Sequence, residues 1–266
     1  MSGVYLTWLA DALEAAGVAV VRYAGWETRA RSSGGYAAGR PWCVMWHHTA
    51  SSTSPQNDAD YMCHGADARP IANVLVARDG TVWILAAGCT NTNGSGRASA
   101  FSKGTVPADS MNSYAFGMEL ANAGTGETYP QAQVDAAFIV SNVVNGRCGN
   151  RPDDVGVHEW YSPGRKIDPA ACNVAGPWAP AEWDNGAGTW ELYSLRDECV
   201  RRATAPPPEE DDLTDEQLRA ITDRLDALTW AITGNSVTGQ PGIAQQLSAI
   251  YDQGNVIIAQ LDAGSG

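Results

Sequence analysis

Apolar positions recur along this chain with two distinct periods. Leu6, Leu9, Ala10, Leu13 and Ala16 fall at helical spacing, and Gly17 ends the run, so a helix over residues 6–16 is expected. Val18 to Val21 read as a short buried strand, and the Arg-, Ser- and Gly-rich stretch 27–40 reads as a loop. Cys43 to His48 is a strand whose apolar residues run up to two histidines. Asn73 to Ala77 and Thr81 to Ala86 are two β-rich runs joined by Arg78-Asp79-Gly80, a hairpin signal because glycine accepts positive φ. Residues 88–113 are rich in Gly, Ser, Thr and Asn and read as one long loop. Tyr114 to Leu120 is a further strand candidate. Val134, Ala137, Phe138, Ser141 and Val144 share one face of a helix from about Gln131 to Asn145. A short strand over Val155 to His158 and a helix over Thr189 to Arg202 complete the pattern.

The character of the chain then changes. Ala205-Pro206-Pro207-Pro208-Glu209-Glu210-Asp211-Asp212 excludes helix and favours an extended tether. Beyond it, Thr214-Asp215-Glu216-Gln217 has the form of a capping box. Leu218, Ile221, Leu225, Leu228 and Ile232 follow at alternating spacings of three and four. Residues 234–242 interrupt this seam, and Ile243, Leu247, Ile250, Ile257 and Leu261 predict a second helix. Three parts are therefore expected: a domain over 1–202, a linker over 203–212, and a helical hairpin over 213–266. Isolated short helices are marginal in water, so residues 213–262 are expected to self-associate or dock on another protein.

Charge narrows the function. The net charge is −13, of which residues 203–266 carry −8 from ten acidic and two basic residues. Nucleic-acid binding draws most of its affinity from basic patches, so a nucleic-acid partner is not expected. Membrane insertion is not expected either, because no apolar run reaches the length of a span. Asp11, Glu14 and Arg22 interrupt the N-terminal apolar positions and no cationic segment precedes them, which reads as synthesis in a cytoplasm without a signal peptide. The six cysteines show no CxxC spacing, so a zinc ribbon is not expected and buried reduced thiols are.

Candidate chemistry rests on few residues. There are four histidines. His47 and His48 are adjacent at a strand end, and His158 opens the stretch His158-Glu159-Trp160-Tyr161-Ser162-Pro163-Gly164-Arg165-Lys166-Ile167-Asp168-Pro169. A catalytic zinc needs three N, O or S ligands and an open fourth position. No compact motif such as HExxH is present, so spacing alone leaves ordinary buried or surface histidines equally open.

Wider context goes further. The strand ending in His47-His48-Thr49, the hairpin Arg78-Asp79-Gly80-Thr81-Val82, the strand Ser113-Tyr114-Ala115-Phe116-Gly117-Met118-Glu119-Leu120, and the stretch from His158 to Asp168-Pro169 occur in that order. Over roughly residues 40–180 the chain resembles the type 2 N-acetylmuramoyl-L-alanine amidases, whose fold is shared with peptidoglycan recognition proteins. Leu6 to Trp26 also resembles endolysins of actinobacteriophages. The resemblance implies an α/β domain with a central mixed sheet flanked by helices. It implies Zn2+ held by His47, His158 and Asp168, with Glu119 as a catalytic carboxylate. Lys166 lies two residues before Asp168, and an extended segment would present both to one side, near a developing oxyanion.

Hydrolysis of the amide between N-acetylmuramic acid and L-alanine in peptidoglycan is the implied reaction, in a phage lysis enzyme. A tail-associated wall hydrolase of the virion and a non-catalytic peptidoglycan-binding module are the alternatives. The chain departs from the family in two places. Ala72-Asn73 stands where many members have a tyrosine, and Thr90-Asn91-Thr92-Asn93-Gly94 stands where many have a histidine. The second departure points to an asparagine contact with substrate. His48 is expected to be structural and His64 a loop residue.

Overall fold

A computed structural model describes residues 3–65, 67, 69–170 and 190–204. The chain divides into units Met1–Ala205 and Pro206–Gly266, and all described residues belong to the first. The helices expected at 214–233 and 242–262 lie outside the described residues.

Among the described residues, eight short strands form two sheets. The larger contains β1 (Val20–Arg22), β2 (Cys43–His48), β3 (Val74–Val76), β4 (Val82–Ile84), β7 (Ala115–Leu120) and β8 (Val155–Val157), in the order β1-β4-β3-β7-β2-β8. All neighbours pair in parallel except β3 and β4, which form the antiparallel hairpin expected around Arg78-Asp79-Gly80. Gly80 adopts φ +87°, and a Cβ there would lie 2.7 Å from the Ala132 carbonyl oxygen. Asp79 closes the same turn by accepting from the Thr81 amide. The sheet is thus mixed, as the sequence implied.

Period-two alternation gives the sheet two different faces. Val44, Trp46, Val74, Val76, Val82, Ile84, Phe116, Met118, Leu120, Val155 and Val157 belong to the main apolar core. The helices α1 (Leu9–Ala15), α3 (Gln131–Cys148) and α5 (Leu192–Thr204) add Leu9, Leu13, Val134, Phe138, Val144, Leu192 and Leu195 to the same cluster. Helix α3 also serves the sheet by hydrogen bonding. Gln133 Nε2 donates to the carbonyls of Val76 and Ala121, just where β3 and β7 end.

The intervening residues face the other way. Cys43, Met45 and Ala115 pack with Val106, Met111 and Tyr161, and Leu75 packs with Ala59, Met62 and Cys63. This face is covered by short elements that periodicity did not predict. Residues 88–113, expected to be one loop, contain the hairpin β5 (Ser99–Phe101) and β6 (Gly104–Val106) and a 3-10 turn at Met111–Ser113. These two strands, Ser-Ala-Phe and Gly-Thr-Val, carry too few apolar residues to stand out from the polar loop around them. Helix α2 (Pro55–Asp60) continues into a π turn at Tyr61–Gly65. Its start is a conventional one: Ser54 Oγ accepts from the Asn57 amide and proline occupies the first turn.

Boundaries differ modestly elsewhere. Helix α1 begins at Leu9 rather than Leu6, and α5 runs from Leu192 to Thr204, two residues past the expected domain end. Cys43, Cys63, Cys89 and Cys199 are buried free thiols, and Cys148 is half-buried and also free.

Candidate metal centre

Strands β2 and β7 are aligned so that His47 is the register partner of Glu119. Both side chains therefore lie on the loop-covered face, at the C-terminal ends of parallel strands. That end of an open sheet is a common place for ligand sites, since the following loops diverge there. Strand β8 was expected to include His158. Instead β8 stops at Val157, paired with Trp46, and His158 is the first residue of a short helix α4 (His158–Tyr161). The turn into α4 carries the His158 ring to 4.3 Å from the His47 ring. The Glu159 amide then donates to the Asp168 carbonyl oxygen, which ties the returning chain back to α4.

The three side chains converge. His47 Nδ1 is 2.8 Å from His158 Nδ1, and the two nitrogens are 3.0 and 2.8 Å from Asp168 Oδ2. All three residues are buried. The opposite ring nitrogens are also engaged. His158 Nε2 lies 2.8 Å from the Asn93 carbonyl oxygen, which can only accept. His47 Nε2 lies 3.2 Å from Asn93 Oδ1. With Nε2 protonated on each neutral ring, both Nδ1 atoms present bare lone pairs to each other and to a carboxylate oxygen.

Electrostatics favour a neutral ring at His47 and an ionised carboxyl at Asp168. Burial, then the neighbouring His158, lower the His47 pKa to about 4. Burial opposes ionisation of Asp168, yet its contacts with His158 and His47 hold the carboxyl well below its usual range. Two neutral imidazoles and a carboxylate facing inward within 3.0 Å form a set that calls for a cation. The donor types suit zinc. Tetrahedral ligands at about 2.0–2.2 Å from one ion stand roughly 3.3–3.6 Å apart, so the triangle needs to open by only about half an ångström.

Asn93, one of two asparagines in the loop from which a substrate contact was expected, backs both histidines. Its own amide donates to Asn112 Oδ1 at 2.8 Å, and Thr92 Oγ1 donates to the Ile71 carbonyl at 2.6 Å. Gly117 of β7 makes room for this loop, because a Cβ there would stand 1.9 Å from Thr92 Oγ1. The signal was present as an asparagine-rich loop, but nothing local showed which polar group would meet a ring.

Asn73, which stands where a tyrosine was absent, is a fully buried junction. Its Nδ2 donates to the carbonyls of Ala86 and Gly88, and its Oδ1 accepts from Tyr36 and from the Gly117 amide. It joins the hairpin to β7 and leaves no group for substrate chemistry. His48 points to the helix-packed side, where its Nδ1 accepts from the Ala170 amide at 3.0 Å. His64 is exposed in the π turn beside Tyr23.

Glu119 is 7% exposed, and its Oε2 has no hydrogen-bond partner. Burial, then the charge of Asp168, push its carboxyl well above the usual range, while Lys166 pulls it down. A cation held by the neighbouring triad would act in the same sense as Lys166. Residues 166–168 form no strand, but Ile167 is 62% exposed between half-buried Lys166 and buried Asp168. That alternation places Lys166 and Asp168 on the inner side, the arrangement expected of an extended segment. Arg165, not singled out in the sequence, donates through Nη2 to the Asn93 carbonyl and to Ser162 Oγ.

Beside the strand ends of this mixed sheet, two buried histidines and a buried carboxylate form a cluster that could hold a metal ion. The profile of the N-acetylmuramoyl-L-alanine amidases matches residues 37–171, half of the chain, and the chain belongs to that family. Solved structures similar to it include the N-acetylmuramoyl-L-alanine amidase LysC from Clostridium intestinale (15% identity, 59% of this chain and 90% of that one, TM-score 0.40). AmpDh3 from Pseudomonas aeruginosa, solved with an anhydromuramic pentapeptide, shares 18% identity over 73% of this chain and 77% of its own (TM-score 0.42). Bumblebee PGRP-SA shares 14% over 59% and 91% (TM-score 0.44). No curated protein matches the chain in sequence. Among the described residues no helix is long and apolar enough to cross a membrane.

Proposed function

We propose that this family member is a zinc-dependent hydrolase of the amide between N-acetylmuramic acid and L-alanine in peptidoglycan. The observation that carries the reading is the meeting of two imidazole Nδ1 atoms and a carboxylate oxygen within 3.0 Å. His47, His158 and Asp168 would hold the metal, which supplies Lewis acidity toward the scissile carbonyl and an activated water. Asn93 keeps both rings in the tautomer that leaves Nδ1 free. Glu119, beside His47 in the sheet register, takes the proton of the attacking water and returns it to the leaving amine. Lys166 stands on the inner side of its segment, where its ammonium balances negative charge on the former carbonyl oxygen. Complete donors and an unpaired carboxyl beside them favour catalysis over mere wall binding.

The same reading makes the protein a phage lysis enzyme acting on the bacterial wall, or a hydrolase carried in the virion. Residues 213–262 would serve docking or self-association, which truncation after Ala205 tests through the mass of the particle in solution. The reaction is tested by mass analysis of peptidoglycan fragments. Fragments with new L-alanyl amines should appear, disappear with a chelator, and return with added zinc. Asp168→Ala should not retain zinc. Chelator-insensitive cleavage sinks the zinc assignment, and fragments cut at any other bond sink the substrate assignment.

A further inference from the structure

Half-buried aromatic rings form a row across the hairpin of β5 and β6. Trp160 stands 6.0 Å from Phe101 of β5. Phe101 is the register partner of Gly104 in β6, and a Cβ at Gly104 would lie 3.5 Å from the Trp42 ring. Trp42 in turn stands 4.7 Å from Tyr114. Three guanidinium groups lie on this row. Arg196 is 5.3 Å from the Trp160 ring and 5.8 Å from Phe101, Arg97 is 5.0 Å from Trp160, and Arg40 is 3.3 Å from Tyr114. A fourth cation, Lys103, stands in the turn between β5 and β6.

None of these four cations has a carboxylate within ion-pair distance among the described residues. Asp153 and Asp154 share a cavity of about 260 Å³ with Arg196, but both are taken up elsewhere. Asp153 pairs with Arg151 at 3.0 Å, and Asp154 accepts from the Ser102 amide and hydroxyl and from the Arg151 amide. Arg196 donates through Nε to the Val155 carbonyl at 3.0 Å, and its Nη nitrogens have no hydrogen-bond partner among the described residues. Burial lowers its pKa, the sign of a charge short of compensation. Arg97 and Lys103 are exposed beside it. Four cations without a partner around one hairpin stand out in a chain of net charge −13.

We propose that this hairpin face is a binding surface, separate from the metal triad, for a polymer that carries phosphate or carboxylate groups. Placing that polymer in the bacterial wall rests on the amidase reading. Guanidinium forks match oxyanions, and stacking on a ring holds the fork in place before the ligand arrives. The same stacking argues against single-stranded nucleic acid, which needs bare ring faces for its bases. Here the ring faces are already occupied, which leaves N–H edges to meet a ligand. The cations are spread along the row, so a polymer can engage several at once where a single ion engages one or two.

The test uses the full-length protein and labelled poly(glycerol phosphate), with polyglutamate as the carboxylate counterpart, dextran as the neutral one and single-stranded DNA as the nucleic acid. An anionic polymer should bind, more weakly as salt rises, and the tighter of the first two names the oxyanion. Dextran should not bind. The double variant Arg97→Gln, Arg196→Gln should weaken binding by roughly tenfold or more and flatten the salt dependence. Arg97→Glu, at an exposed position, gives the same direction of change should the loss of Arg196 disturb the fold. Cleavage of a soluble muramyl peptide should keep its wild-type rate in Arg97→Glu. Failure of both anionic polymers to bind overturns the proposal. So does tighter binding of DNA than of either, or wild-type binding in Arg97→Glu and the double variant. If no protein cleaves the muramyl peptide, the amidase reading fails, and the polymer result still decides the role of the hairpin.

Discussion

The two faces of the main sheet are made from alternate residues of the same strands, yet they are held in different ways. On the helix-packed face, Trp46, Phe116 and Val157 meet α3 and α5 through apolar contact, with Trp46 5.1 Å from the Phe138 ring. On the loop-covered face, Met45, Gly117 and Gly156 give way to polar groups toward the strand ends, and loops are pinned by single hydrogen bonds such as Asn93 to Asn112. Packing of the first kind is redundant, because many contacts share the load. Hydrogen bonding of the second kind is specific, because each bond joins a particular donor to a particular acceptor. The contrast teaches that this sheet separates stability from chemistry by residue parity.

The sharpest way to break that contrast is at Glu119. Glu119→Gln keeps the shape of the side chain and should lower turnover by about 10²–10⁴-fold while leaving zinc content intact. Steady-state rates with metal analysis on the same sample check it, and near-wild-type turnover would remove Glu119 from the chemistry. On the opposite face, Phe138→Ala should cost about 3–5 kcal/mol of stability, read from the urea midpoint. Activity per folded molecule should hold, and a large loss there would show that the two faces are coupled. Asn93→Ala should be smaller: roughly 10–100-fold weaker zinc binding, measured by competition with a chelating dye. An unchanged affinity would mean that Asn93 does not orient His47.

The smallest effect tests the rim. Glu127 accepts from Arg78 Nη2 at 3.0 Å and also from Arg78 Nε, and these bonds lower its pKa. A carboxyl with a depressed folded pKa adds stability above its unfolded value of about 4.3, and that stability is lost as pH falls through the folded value. The pair is partly exposed, so Glu127→Gln should cost at most about 1 kcal/mol at neutral pH. The difference between variant and wild type should close in acid. A gap that persists at low pH would show that the ion pair is not its source.

Sequence legibility followed the same division. Strands β2 and β7 and the buried side of α3 were readable because long apolar periods identify them: Val134, Ala137, Phe138, Ser141 and Val144 are all buried. The elements α2, β5 and β6 were not, because polar and small residues dominate them and their support comes from distant contacts. At the candidate site, His158 and Asp168, nominated from motif order, stand with His47, and Glu119 is its register partner. The role of Asn93 could not be read, since an asparagine in a loop has common local uses. Only the fold shows which of its atoms meet a ring.

The two supports that Asn93 provides differ in heritability. His47 leans on the side chain, which any substitution at position 93 removes or alters. His158 leans on the backbone carbonyl, which every amino acid carries. A scan of single substitutions across this loop would therefore record half of the dependence and miss the other half. The support of His158 is protected from point mutation and vulnerable instead to changes of loop length. Insertions or deletions between Thr90 and Ser95 should therefore harm this site more than substitutions within the same loop do.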